Sequence, residues 1–342
     1  MRRALLAEPK RFILEQVRIP EPKPDEVIVK VERAGICGSD VHIYHGVSRI
    51  QPPLVLGHEI SGTIHAIGSG TEGVQVGDRV AVEPGVHCGK CTYCVSGRYN
   101  LCASQYTIGG WSGHDGAYAD YVRIPAQNLF PLPEGMSYET GAMIEPVACA
   151  MHALDLAHIS PGDNVFIFGS GTMGLLVAQA VRLSGAQSVA VADVVPQRLT
   201  LAKRLGVDEI ANPTETDLVA WVTELYGEGG INRVIDTVTR PETFDLALKI
   251  VRRGGRIINV GVPTQSVNWG LRELLREIEL TGMNMYVRRN FNDAVAAITS
   301  GAIHVEPLVS SPFPLAKIGE AYTAVLHEQD RVVKVMLAPQ MG

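Results

Sequence analysis

The amino-acid sequence predicts an α/β protein in two parts, a mostly β first part and a doubly wound parallel sheet in the second. Residues 161–206 show an apolar strand, a glycine-rich turn, a helix and a second strand. Strands and helices continue to alternate after them, which indicates a parallel sheet covered by helices. The first half instead has short strand-like runs separated by glycine and proline turns, which favours a mostly β domain.

Composition and charge exclude several classes of protein. The chain has 342 residues, of which 46% are hydrophobic, and this length allows two domains with cores of their own. A formal net charge of −6 gives no electrostatic reason to expect nucleic acid or an anionic membrane as a partner. No apolar run approaches the roughly 20 residues that span a bilayer. We interpret the N-terminal segment as a strand rather than a signal peptide and expect a cytoplasmic chain with reduced cysteines.

Four of the six cysteines lie in one short stretch. Cys88, Cys91, Cys94 and Cys102 have the spacing C-x2-C-x2-C-x7-C, with glycines in the loops between them. Four thiolates at about 2.3 Å saturate a tetrahedral zinc ion and leave no open position. The spacing therefore predicts a structural zinc site. A reduced cysteine cluster, two disulfides and an iron–sulfur cluster are the alternatives.

Three further residues suggest a second metal site. Cys37 follows the strand-like run 26–36, and His58 and Glu59 come about twenty residues later. A thiolate, an imidazole and a carboxylate leave one position open for water or substrate, the pattern of a catalytic zinc. Each residue alone is weak evidence, because a lone cysteine is usually a small core residue. Their joint presence, with the four-cysteine cluster 30 residues after His58, favours the metal.

The turn after residue 168 predicts a dinucleotide site. Gly169, Gly171 and Gly174 follow an apolar strand and open a helix, so the pyrophosphate of a dinucleotide can approach the helix N-terminus. Asp193 ends the next strand, 19 residues after Gly174. An acid there suits the ribose hydroxyls of NAD and repels the 2′-phosphate of NADP. The predicted cofactor-binding residues are Gly169, Gly171, Thr172, Met173, Gly174, Asp193 and Arg198.

These motifs together resemble a known family. The segments "ICGSDVH", "GHE" at 57–59, the four-cysteine loop and "GSGTMG" are similar to the zinc-dependent medium-chain dehydrogenases, and to their sorbitol (polyol) and threonine branches in particular. The resemblance covers essentially the whole chain. It implies a GroES-like catalytic domain formed by residues 1–148 and 287–342, with a Rossmann domain inserted at 149–286. We also expect a homo-oligomer, a tetramer or a dimer.

The resemblance adds one residue to the catalytic metal site. Glu145 lies where alcohol dehydrogenases place a second zinc-binding cysteine, whereas the polyol and threonine branches carry a glutamate. The resemblance therefore implies that Glu145 binds the zinc of Cys37, His58 and Glu59, directly or through water. The alternative is that Glu145 only anchors the helix that follows it. Two zinc ions per chain are expected, one structural and one catalytic.

The predicted chemistry is the oxidation of a secondary alcohol. A zinc-bound alcohol loses its proton readily, its hydride passes to NAD, and Ser39 and His42 would form a path for the proton. Ser39 could instead be a helix N-cap.

We expect a sugar alcohol or sugar acid that is oxidised to a ketone, with L-threonine 3-dehydrogenase as the alternative. A protein that only binds zinc or NAD is the alternative outside the enzymes.

The side chains of His114, Asp115, Tyr118, Arg288 and Arg289 are expected to make the walls of the substrate pocket polar.

Overall fold

The computed structural model describes residues 1–110, 114–227 and 229–341. The chain divides into two compact units. The first contains residues 1–145, 287–295 and 305–342, and the second contains residues 146–286 and 296–304. The limits predicted for the two functional domains, at 148/149 and 286/287, stay a prediction.

Strands and helices are numbered in chain order. The strands are β1 (Arg2–Glu8), β2 (Arg11–Gln16), β3 (Glu26–Gly35), β4 (Leu54–Val55), β5 (Glu59–Ile67), β6 (Arg79–Val82), β7 (Gly85–Val86), β8 (Tyr106–Thr107), β9 (Tyr121–Pro125), β10 (Leu129–Pro131), β11 (Asn164–Phe168), β12 (Ser188–Ala192), β13 (Glu209–Ala211), β14 (Ile231–Asp236), β15 (Val251–Asn259), β16 (Glu279–Gly282), β17 (Phe313–Pro314) and β18 (Met336–Ala338). The α-helices are α1 (Gly38–Tyr44), α2 (Thr92–Val95), α3 (Tyr138–Ala142), α4 (Ile144–Ala157), α5 (Thr172–Leu183), α6 (Pro196–Arg204), α7 (Leu218–Tyr226), α8 (Pro241–Ile250), α9 (Arg288–Thr299) and α10 (Ile318–His327).

The first unit is mostly β, as the first half of the sequence predicts. Its main sheet has the order β10-β6-β5-β3-β18-β17, and β9 also pairs with β3. Strands β3 and β5 are antiparallel, and their register places Gly35 opposite Glu59. The end of β3 therefore lies beside the start of β5. This pairing brings the segment around Cys37 next to His58 and Glu59.

The apolar core of the first unit explains why these strands assemble. Val27, Val29 and Val31 on β3 are fully buried, and they belong to one cluster with Ile60 and Ile64 of β5. Burial of such side chains stabilises a fold by about 1.5–3 kcal/mol each relative to full exposure. The core therefore holds the ends of β3 and β5, and the polar side chains that follow them, in a fixed register.

The second unit contains the predicted parallel sheet. The strand order is β13-β12-β11-β14-β15-β16, and each adjacent pair is parallel. Strands β12 and β13 follow β11 on one side of it in the sheet. The next strand, β14, pairs with the other side of β11. Ligands of such sheets bind at the carboxyl ends of the strands, where the order reverses. The end of β11, followed by Gly169, lies at this point.

One predicted boundary in this unit is wrong. The pattern 241–255 predicts a helix throughout, but α8 ends at Ile250 and Val251 already begins β15. Extended backbone at Val251 (ψ 137°) and a positive φ of 65° at Gly254 are incompatible with continuing the helix.

Among the described residues, no helix combines the length and the apolar character needed to cross a membrane.

We predict that Gly62→Ala destabilises the first unit because β3 and β5 leave no room for a methyl group. A Cβ at Gly62 would lie 2.2 Å from the carbonyl oxygen of Lys30, so the strands would have to separate. The free energy of unfolding, measured in urea, should fall by about 1–3 kcal/mol. Gly319→Ala is the matched control, since that exposed glycine of α10 has nothing within 4 Å of an added Cβ. Equal stability of both variants would contradict the prediction.

Candidate functional site

The four cysteines of the predicted structural site converge in the structure. Their ligand atoms all lie within 4.8 Å of one another, and three of the sulfur–sulfur distances are 3.5 Å for Cys91–Cys94, 3.6 Å for Cys102–Cys88 and 3.8 Å for Cys88–Cys94. A disulfide would require about 2.05 Å. A tetrahedron of thiolates around zinc at about 2.3 Å has edges of about 3.8 Å. The observed spacing therefore fits a closed metal site, and all four are free thiols.

Electrostatics also favour a cation between these sulfurs. Backbone N–H groups of Lys90 and Cys91 lower the pKa of Cys88 to about 6, so this sulfur is a thiolate at neutral pH. Burial and the neighbouring sulfur of Cys91 raise the pKa of Cys94 to about 12. Four adjacent thiolates repel one another, so full deprotonation of the cluster needs a bound positive charge.

Cys37, His58 and Glu59 form the second cluster that the sequence predicts. One ligand atom from each lies within 4.8 Å of the others. Cys37 is the N-cap of α1, two residues after the end of β3, and Glu59 begins β5 directly after His58. His58 and Glu59 are buried, and Cys37 is half-buried. Three donors of different chemistry can hold one zinc ion and leave a position for another ligand.

Asp40 belongs to this site, and the sequence reasoning missed it. Its fully buried carboxylate lies 3.4 Å from His58 through Oδ1 and Nδ1, and its Oδ2 accepts the backbone N–H of Cys37 at 3.0 Å. Burial alone would lower the pKa of His58, but the nearby negative charge of Asp40 raises it well above its usual range. The surroundings of the imidazole therefore attract positive charge. An acid three residues after Cys37 was the available signal, because it can cap the helix and face the same site.

Lys334 is a second residue that the sequence did not reveal. Its ammonium group lies 2.5 Å from the carboxylate of Glu59 and donates to the backbone oxygen of Ile36 at 3.1 Å. Both ionic side chains are buried, with 2% and 1% exposure. Burial alone would lower the pKa of Lys334, but Glu59 raises it above its usual value, so the lysine stays cationic. A lysine within the apolar run before β18 was the signal in the sequence.

The remaining residues of the predicted catalytic site lie on α1 and in the first turn of α4. Glu145 is buried in the first turn of α4 and close enough to Lys334 to raise the pKa of that lysine. Among the described residues, the group of ligand atoms within 4.8 Å contains Cys37, His58 and Glu59 but not Glu145. Ser39 and His42 are half-buried on α1, on one face because they are three residues apart. Burial and the charge of His45 lower the pKa of His42.

The predicted polar walls of the substrate pocket need correction. Tyr118 is fully buried, and its hydroxyl donates to Asp40, so it is not offered to a substrate. Asp115 pairs with Arg3 at 3.1 Å, and His114 stacks on Tyr106. The wall assignment is therefore wrong for Tyr118, whereas for His114 and Asp115, which each have a partner within the protein, it stays a prediction.

The two arginines of the predicted walls also have partners. Arg288 donates to the backbone oxygen of Gln127 at 2.7 Å and lies over the ring of Phe130, and Arg289 is 3.5 Å from Asp293. Binding of a substrate carboxylate by either arginine would compete with these contacts.

The predicted dinucleotide residues come together at the end of β11. Gly169 has a φ of +94°, and a Cβ at Gly174 would lie 1.9 Å from the oxygen of Gly169, so both positions need glycine for the turn and for close packing of α5. Asp193 accepts the backbone N–H of Ser170 at 2.6 Å and of Val195 at 2.9 Å. The carboxylate of Asp193 is therefore fixed beside the glycine turn.

The other predicted cofactor residues lie around the same turn. Thr172 and Met173 are the first two residues of α5. Arg198 lies on α6, with its guanidinium 3.6 Å from the position of a Cβ on Gly171. Burial lowers the pKa of Arg198, and the charge of Asp193 opposes this.

Comparison with known proteins identifies the family. Residues 23–134 match the family model described as alcohol dehydrogenase GroES-like domain, and residues 172–300 match that described as zinc-binding dehydrogenase. The chain belongs to the zinc-dependent medium-chain dehydrogenase superfamily. Its predicted fold, a GroES-like domain with a Rossmann-type sheet, is thereby confirmed, as is its assignment to the enzymes of this superfamily.

Individual relatives match over nearly their whole length. The sorbitol dehydrogenase of Bacillus subtilis (strain 168) is 33% identical over 99% of this chain and 97% of its own. The 2-dehydro-3-deoxy-L-galactonate 5-dehydrogenase of Pseudoalteromonas atlantica is 35% identical over 92% of both chains. A solved structure from Escherichia coli CFT073, described as a short chain alcohol dehydrogenase complexed with cofactor NADH, is 30% identical with a TM-score of 0.92 and covers 99% of both chains.

We predict that the Cys88 cluster supports the fold without supplying the reactive metal. Cys91→Ser should remove about one zinc ion per chain and lower the melting temperature, because a structural zinc contributes directly to folding free energy. Zinc content by mass spectrometry of metals and thermal unfolding check this. Cys149→Ser is the control, since that half-buried thiol of α4 lies outside both metal clusters. A Cys91 variant with full zinc content and wild-type stability would refute the prediction.

Proposed function

We propose that this enzyme oxidises a secondary alcohol of a sugar alcohol or sugar acid to a ketone, with zinc and NAD as cofactors. The supporting observation is the convergence of Cys37, His58 and Glu59, a donor set with room for a substrate oxygen. We further propose that residues 1–148 and 287–342 form the zinc catalytic domain and that residues 149–286 form the NAD-binding domain.

The donor set fits a catalytic zinc site. Cys37 and Glu59 supply two anionic ligands, and His58 can use Nε2, since its Nδ1 faces Asp40. We propose Glu145 as a further ligand, direct or through water, because it is a buried acid that acts on the pKa of Lys334. When bound, zinc would act as a Lewis acid that lowers the pKa of the substrate hydroxyl.

The chain's own side chains provide a route for the substrate proton. We propose that the hydroxyl of Ser39 passes it toward the imidazole of His42 on the same face of α1. Because burial lowers the pKa of His42, its imidazole is neutral at pH 7 and can accept the proton. The half-buried position of both residues leaves the route open to solvent.

The proposed cofactor site favours NAD. Backbone N–H groups of Ser170 and Val195 hold the carboxylate of Asp193 at the place where an acid binds ribose hydroxyls. A 2′-phosphate would be repelled there by the negative charge. The bound NADH in the similar structure from Escherichia coli supports the same cofactor class for this chain.

The names of the relatives support the proposed substrate class. One relative acts on sorbitol and another on a sugar acid, while the threonine alternative gains no support from them. The acidic residues around Cys37 make the site polar, which suits a substrate with several hydroxyls. A site that pairs hydroxyls rejects analogues without them, because its own polar groups would stay unpaired.

We propose a cytoplasmic homotetramer, with a dimer as the alternative assembly. A reducing compartment keeps the four thiols of the Cys88 cluster available for zinc. Leu271 and Leu275 are 82% and 79% exposed next to the edge strand β16. Exposed apolar side chains beside a sheet edge favour association with another copy.

The substrate proposal predicts a ranking of initial rates of NAD reduction. Sorbitol, xylitol or an aldonate should exceed 2-butanol in kcat/KM by about 100-fold or more, because 2-butanol lacks the additional hydroxyls. L-Threonine completes the panel, and His58→Ala is the control that assigns the activity to this site. If threonine or 2-butanol is the best substrate, the polyol proposal is wrong.

The cofactor proposal predicts that Asp193→Ala weakens NADH binding more than NADPH binding. Loss of a hydrogen bond to a charged group should raise the Kd of NADH by roughly 10- to 100-fold, and titration of nucleotide fluorescence measures both constants. Asp208→Ala is the matched control for Asp193→Ala. Asp208 also accepts a backbone N–H, that of Val189, but near the opposite end of β12. An unchanged NADH-to-NADPH ratio in the Asp193 variant would contradict the assignment.

A further inference from the structure

Tyr118 lies directly behind the candidate catalytic site. Its backbone is fixed on both sides, since its N–H donates to Leu56 and its carbonyl oxygen accepts from Ala4. The side chain is fully buried. Its ring occupies the space beside Gly57, where an added Cβ would lie 2.5 Å from a ring carbon. The glycine before His58 therefore leaves room for this tyrosine.

The hydroxyl of Tyr118 contacts the carboxylate that supports the metal ligands. It donates to Asp40 Oδ2 at 2.8 Å, and the same oxygen accepts the N–H of Cys37 at 3.0 Å. The other oxygen, Oδ1, is 3.4 Å from His58 Nδ1. Asp40 thus joins two of the three candidate ligands. Tyr118 donates to the same carboxylate from the segment just before β9.

Toward the carboxylate of Asp40 this hydroxyl acts as a donor, at 2.8 Å, whereas its distance to the carbonyl oxygen of Gly35 is 3.4 Å. Burial and the charge of Asp40 raise the pKa of Tyr118 well above its usual range, so it keeps its proton at any working pH. Phenylalanine would fill nearly the same volume and keep the ring packing. The hydroxyl is therefore not needed for packing, and its hydrogen bond restricts the rotation of the Asp40 carboxylate.

We propose that Tyr118 is a positioning residue that acts through Asp40 on His58. By fixing Asp40, Tyr118 keeps Oδ1 directed at His58 Nδ1 and leaves Nε2 for the catalytic zinc. This inference rests on the proposed function, since it requires a metal at Cys37, His58 and Glu59. Partners of metal-bound histidines orient the ring and contribute about 10- to 100-fold to metal affinity.

The experiment compares Tyr118→Phe with Tyr138→Phe in the full chain. Tyr138 is a matched control, because this tyrosine of the first unit also pairs through its hydroxyl, with Thr63 Oγ1 at 2.7 Å rather than with Asp40. Zinc affinity of the catalytic site is measured by chelator competition, and Co²⁺ replaces zinc for absorption spectra. Tyr118→Phe should raise the zinc Kd about 10-fold and shift the cobalt bands, while Tyr138→Phe changes neither.

Asp40→Asn tests whether Tyr118 acts through that carboxylate. In the Asp40→Asn background, adding Tyr118→Phe should cause no further change in zinc Kd, because effects transmitted through one residue are not additive. Additive effects, or equal effects of the two tyrosine variants, would overturn the inference, as would a Tyr118 variant altered only in melting temperature. A wild type that binds metal only at the Cys88 cluster would overturn the proposed function itself, and with it this inference.

Discussion

The register between β3 and β5 is the constraint on which the candidate catalytic site depends. Gly35 lies opposite Glu59, and a Cβ at Gly35 would be 1.8 Å from a carboxylate oxygen of Glu59. The absence of a side chain at Gly35 lets this carboxylate turn toward Cys37. A shift of one residue in this pairing would send the side chains of β5 to the opposite face, and the three candidate ligands would no longer converge.

Buried charge is the second organising feature of the site. Asp40, Glu59 and Glu145 are acids with little access to water, and Cys37 adds a thiolate when it binds a metal. Isolated buried charges are costly unless they are paired or coordinate a metal. Lys334 supplies one positive charge, and a divalent ion would supply two more. The chemistry of the site and the stability of the fold therefore depend on the same balance of charge.

The sequence was sufficient where a chemical pattern is local. The spacing of Cys88 to Cys102, the glycine turn after β11 and the acid at Asp193 each predict their environment within a short stretch. It was insufficient for Lys334, which meets Glu59 across 275 residues, because no local pattern reports a contact of that range. For Tyr118, the polar residue type suggested a pocket wall, whereas tertiary packing buries the ring and gives the hydroxyl to Asp40.

The position of Lys334 has a consequence for the order of assembly. β18 pairs with β3 in the first unit, and Lys334 lies just before β18. During synthesis, the N-terminal strands leave the ribosome first. Until the segment with Lys334 arrives, the carboxylate of Glu59 lacks its buried cation. Before that segment arrives, a bound metal ion is the counter-charge that Glu59 can use, and the lysine joins it later.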